Sequence, residues 1–267
     1  MRYQQLALKV TMRVSRLLHL DNGETTMTTS RTIFDLIRTK PTAAVLLVHR
    51  HASYLMGPVR ARYANDAEAY TANYAEKEPP CLFLVDEPGI QRSRQQGRQF
   101  AEAGITIAEI VASHQGRGPD TAMRLSEGHF QATSRWVPVR CDVRADYPRY
   151  HHDPLLECLS DPSVGDRFVA EWLNGKRSTL VRSDTPEGFE ERTMSVVNEL
   201  LSAPGVRVMS CHFENVTLVH GLIVDGRDLG TIREDWFPTK SGGVVIVRQP
   251  DGSQDAFDYT PDLTLMG

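Results

Sequence analysis

Val45-Leu46-Leu47-Val48-His49-Arg50-His51-Ala52 is the stretch whose reading decides the fold. A continuous apolar run bounded by polar residues has the pattern of a central strand in a parallel sheet, buried on both faces. The run ends abruptly on Arg50 and His51. In open α/β sheets, ligands collect beyond the carboxyl ends of such strands. A guanidinium and an imidazole placed there offer a planar anion clamp beside a nucleophile or base. That pair points to phosphate chemistry.

Working outward, apolar periodicity predicts helices over residues 29–39, 89–103, 116–128, 163–175, 185–201 and 216–224. The 185–201 helix opens on Thr185-Pro186-Glu187, an N-cap, an N1 proline and an early acid. Short apolar runs predict further strands over 105–111, 136–143, 206–210 and 243–247, the last followed by a polar tail. Strands alternating with helices imply an α/β fold, a mostly parallel central sheet flanked by helices on both faces. The segments 54–80 and 144–176 read as capping insertions.

The chain has 267 residues, 40% hydrophobic and 24% charged, which suits an ordinary globular protein with a substantial core. A net charge of -4 argues against a nucleic-acid partner. No apolar stretch reaches the ~20 residues that span a bilayer. Cys81, Cys141, Cys158 and Cys211 are widely spaced and form no CxxC, so reduced thiols and a cytoplasmic setting are expected. Before Asp21 the chain carries Arg2, Lys9, Arg13 and Arg16 with Leu6, Val10, Val14 and Leu17 at helical spacing. Residues 1–28 thus read as an extension, disordered or a basic helix, ahead of a single domain over 29–267. The oligomeric state is left open.

Three strand ends carry the candidate chemistry. The first delivers Arg50 and His51, the second runs through Ser113-His114 to Arg117, and the fourth delivers His212. A parallel sheet lines such ends along one edge. The guanidiniums would bind non-bridging oxygens in pairs, while one imidazole attacks phosphorus and the other completes the cradle.

These residues resemble the motifs of the histidine phosphatase superfamily, the phosphoglycerate-mutase-like proteins. Arg50-His51-Ala52 resembles its Arg-His-Gly signature, and Leu84 to Gln91 resembles its Leu-Thr-x-x-Gly-x-x-Gln helix start. Ala112 to Ala122 resembles the Ser-Ser-Pro-x-x-Arg-x-x-Gln-Thr-Ala element, and Met209-Ser210-Cys211-His212 matches the position of the second histidine. The matched region runs over about 43–247, most of the chain. The resemblance implies His51 as the phosphorylated nucleophile and Arg50, Arg117 and His212 as phosphate ligands. It also implies a small phosphate ester as substrate, with no cofactor or metal.

A carboxylic acid that protonates the leaving oxygen is implied too. Asp153-Pro154-Leu155-Leu156-Glu157 resembles the family's Leu-x-Glu element, which makes Glu157 the expected donor, with Asp153 and Asp142 as competitors. The sequence also departs from the pattern. Phe213 stands where a glycine normally follows the second histidine, Glu214 comes next, and the Ser-Pro pair before Arg117 is missing. Ser53, Phe213 and Glu214 are therefore substrate-pocket candidates, Glu214 either repelling phosphate or recognising a cationic group. His151-His152-Asp153 lacks a companion metal motif and reads as surface or pocket rim. A phosphatase, a mutase of the same family and a decayed phosphate-binding protein all remain open.

Overall fold

Ala44–Arg50 (β1), Ile107–Ala112 (β2), Val139–Cys141 (β3), Gly205–Cys211 (β4), Gly243–Arg248 (β5), Gln254–Tyr259 (β6) and Leu265–Met266 (β7) form one sheet. Its order is β3-β2-β4-β1-β5-β6-β7. The structure, a computed structural model, describes residues 31–53, 86–114, 117–161 and 163–266. The basic leader and the capping segment 54–80 lie outside the described residues.

β3, β2, β4 and β1 run parallel, whereas β5 pairs antiparallel with β1, and β6 and β7 follow antiparallel. β1 therefore sits centrally, with β4 on one side and β5 on the other. Its residues alternate between two cores, as a strand covered on both faces must. Val45 and Leu47 pack with Phe100, Leu125 and the helix α1 (Ile33–Arg38). Leu46 and Val48 pack on the other face with Val196, Leu200 and Val216. A third cluster, built on Leu155, Phe168, Trp172 and Phe189, includes Phe213 and stands beside the site.

On the first face, the helices α2 (Glu87–Glu102) and α3 (Arg117–Thr133) approach so closely that only glycine fits. A Cβ on Gly97 would stand 2.0 Å from the Leu125 carbonyl oxygen, and one on Gly128 would stand 1.9 Å from that of Arg94. Backbone cannot yield as a side-chain tip can. Gly97→Ala is expected to cost about 2 kcal/mol or more in urea unfolding at pH 7. A loss below about 0.5 kcal/mol would show that the helices part freely.

The polar tail expected after residue 247 is instead strand. Gln249 to Ser253 turns the chain through Gly252 (φ 83°), and β6 returns beside β5. The misreading has a physical cause: β6 buries only Tyr259 fully, so its apolar signal is weak. The strand expected over 136–143 shortens to three residues at the sheet edge. The helix expected over 163–175 starts as a 3-10 turn at Gly165–Arg167, and its α-helical part is Phe168–Leu173 (α5). It follows α4 (His152–Ser160) within the expected second cap. The helix of 185–201 holds as Pro186–Leu200 (α6), with the Thr185 hydroxyl accepting from the Gly188 N–H. The helix expected over 216–224 begins earlier, at Phe213 (α7, Phe213–Val219), and continues as a π-helix over His220–Val224. Among the described residues no helix is long and apolar enough to cross a membrane.

Candidate active site

The sheet order places β2, β4 and β1 side by side, so the three strand ends meet at one edge. Arg50 pairs with Cys211 and Ala112 with Ser210 in register. Pairing continues one step past the strands: the His51 N–H donates to the Cys211 carbonyl (2.9 Å), and the Ser113 N–H to that of Ser210 (3.0 Å). The His51 and His212 rings thus lie 5.2 Å apart, tilted by 58°. Both side chains are buried.

Hydrogen bonds orient both imidazoles. His51 Nδ1 lies 2.8 Å from its neighbour's carbonyl, Ala52 O. A carbonyl only accepts, so Nδ1 carries the proton and Nε2 bears the ring's lone pair. Thr121 fixes that turn, its hydroxyl accepting from the Ala52 N–H (3.0 Å) while donating to Arg117 O (2.7 Å). His212 Nε2 lies 2.7 Å from Ser113 Oγ, and the His212 N–H donates to Asn215 Oδ1 (3.3 Å). Gly118 lets α3 begin against this edge, since a Cβ there would meet Ser113 Oγ at 2.3 Å. Thr121 and Gly118 escaped notice as site residues. Both fall in the quoted Arg117 element, but what they touch appears only in the fold.

The guanidiniums rest on rings. Arg50 donates to Pro238 O (2.5 Å) and covers the Phe213 ring at 4.9 Å, while Arg117 covers Tyr147 at 5.5 Å. Burial first, then Arg117, holds both His51 and His212 well below the usual imidazole pKa; Arg50 acts on each in the same direction. Two neutral imidazoles beside two guanidiniums make a positive cradle. Among the described residues no group of three or more His, Cys, Asp or Glu could hold a metal ion.

The structure separates the candidate carboxylates. Glu157 is exposed on α4, and no hydrogen bond or ion pair joins it to the histidines. Asp153 is exposed beside His152. Asp142 is held far below the ordinary carboxylate range, first by hydrogen bonds from Arg144 and also by Arg140. Asp146, which sequence reasoning passed over, accepts the His114 N–H (2.6 Å) and precedes the Tyr147 ring, whose edge meets His212 at 4.8 Å. Burial pushes its carboxyl pKa up from the ordinary value. Its only sequence signal is its place just past β3.

Of the pocket candidates, Ser53 donates to Asp86 Oδ1 (2.6 Å), which also caps α2 through the Gly89 N–H (2.8 Å). Glu214 is buried and accepts from the Tyr150 hydroxyl (2.6 Å). Asn215, part of a glycosylation-like triplet, is fully buried and so closed to modification in the folded chain.

Two histidines and two arginines thus gather at one edge of a mostly parallel α/β sheet. No protein-family model matches the chain, and no curated protein matches it in sequence. Solved structures do. A phosphoglycerate mutase from Bacillus anthracis is 14% identical, with 83% of this chain and 94% of that chain covered and a TM-score of 0.57. Bacillus stearothermophilus YhfR is 16% identical over 79% and 94%, with a TM-score of 0.55. A mycobacterial glucosyl-3-phosphoglycerate phosphatase is 15% identical over 77% and 91%, at 0.52. The chain therefore has the fold of the histidine phosphatase superfamily, as its motifs implied.

Proposed function

We propose that the protein is a metal-independent phosphomonoester hydrolase working through a phosphohistidine at His51. The observation that carries this reading is the His51 ring, its Nδ1 fixed on Ala52 O, in the field of Arg50 and Arg117. In the first step Nε2 attacks phosphorus, the N–P bond forming as the ester O–P bond breaks. Arg50, Arg117 and His212 hold the non-bridging oxygens, and their charge grows more useful as the transition state spreads negative charge there. The leaving oxygen takes a proton from Asp146, whose burial shifts its carboxyl toward the protonated form. In the second step water gives a proton to the Asp146 carboxylate and attacks phosphorus. The N–P bond breaks, releasing phosphate and neutral His51.

Turnover of an aryl phosphate in EDTA tests the reading. No turnover, with phosphate still bound, would leave a phosphate-binding protein; rapid phosphate migration with weak hydrolysis would make it a mutase. The proton donor has its own test. Asp146→Asn should slow alkyl phosphates about a hundredfold and aryl phosphates, which leave unaided, less than tenfold. Equal losses would remove Asp146 from the role. The selective pattern in Glu157→Gln would return it to Glu157.

A further inference from the structure

We propose that the ester this site accepts carries an ammonium group, held by Glu214 against an aromatic wall next to the histidine pair. The inference rests on the hydrolase reading and names its substrate class.

Glu214 is only 8% exposed, and its one hydrogen bond comes from the Tyr150 hydroxyl. Among the described residues no Lys, Arg or His forms an ion pair with it. Carboxylates so withdrawn from water are ordinarily paired with a cation. Here the described residues supply none, in a site that otherwise gathers positive charge. The surroundings favour a particular cation. Tyr150 stacks on Tyr147 at 6.1 Å, Tyr147 touches His212 edge-on at 4.8 Å, and Phe168 meets Tyr150 edge-on at 5.8 Å. On the other side Phe213 stacks on Phe237 at 6.3 Å.

Ring faces attract alkylammonium groups, and a carboxylate among them adds a charge-assisted hydrogen bond. A substrate with a second anionic group would be repelled by Glu214. An apolar leaving group would seal the carboxylate in without a partner. An aminoalkyl phosphate satisfies both ends at once, its phosphoryl group on Arg50 and Arg117 and its ammonium on Glu214. Glu214 lies two residues after His212, in the first turn of α7, whose N-cap is His212.

The test compares 2-aminoethyl phosphate with propyl phosphate, esters of equal length, by kcat/KM on the full chain. The amine should be favoured by about tenfold or more. Glu214→Gln, which keeps an acceptor for Tyr150, should bring that ratio close to one, and Tyr150→Phe should lower it several-fold. A wild-type ratio at or below one overturns the proposal. So does a ratio unchanged in Glu214→Gln, or an equal loss on both esters. Calorimetric binding of 2-aminoethylphosphonate and propylphosphonate gives the same ratio without turnover. If neither ester is hydrolysed, the hydrolase reading fails, while the phosphonate ratio still decides the ammonium site.

Discussion

His51→Ala is expected to lower phosphate-ester turnover by at least about a thousandfold, because the proposed mechanism then loses its attacking nitrogen. The alternative imidazole, His212, has its Nε2 engaged by Ser113 Oγ. Arg50 and Arg117 have contacts of their own besides His51, Arg50 with Pro238 and Phe213 and Arg117 with Tyr147. The variant should thus keep its affinity for inorganic phosphate within about tenfold, losing one imidazole but neither guanidinium. Stopped turnover with retained anion binding is the expected signature, read by steady-state assay and calorimetry. A loss below tenfold would mean that another group attacks phosphorus and would remove the phosphohistidine step.

Acid should destabilise the fold steeply and well above the range in which carboxylates titrate. His51 and His212 are held neutral as described, and burial alone lowers His49 to about 4. Each has a folded pKa below its unfolded value near 6.5, so the unfolded chain binds more protons in between. Stability from these groups is complete above pH 6.5 and falls as pH drops toward the folded values. Each histidine contributes a slope of about 1.4 kcal/mol per pH unit in that window, so three give about 4 kcal/mol per unit at most. Urea unfolding at pH 7, 6 and 5 measures it. A flat profile would show that the imidazoles become charged inside the fold. Phosphate should blunt the slope, since a bound dianion offsets the field of Arg117 that helps keep His51 and His212 neutral.

His49 shows how the strand turns sequence into two environments. It alternates with Arg50, so it faces the core side and lies 2.8 Å from the Tyr259 hydroxyl, while Arg50 faces α7. That alternation follows from the period of a strand and needs no tertiary knowledge. Its partner Tyr259 belongs to β6, the strand concealed in a tail that reads as polar.

Local pattern was enough for β1, for α6 with its Thr185 cap, and for the strand ends that carry Arg50, His51 and His212. Each is written in a short run of residues whose periodicity or capping chemistry acts within one element. The proton donor and the pocket wall are different. Whether a carboxylate is exposed like Glu157, tied to arginines like Asp142 or shifted upward by burial like Asp146 depends on what packs around it. Likewise Phe213 and Glu214 appear in sequence only as departures from a motif, and it is the packing of Tyr147, Tyr150 and Phe237 that makes them a wall. Sequence by itself determined the strand ends and the side chains they carry. Only the tertiary structure decided the order β2-β4-β1 that joins those ends and the burial that sets each acid's charge, because both arise from contacts between residues distant along the chain.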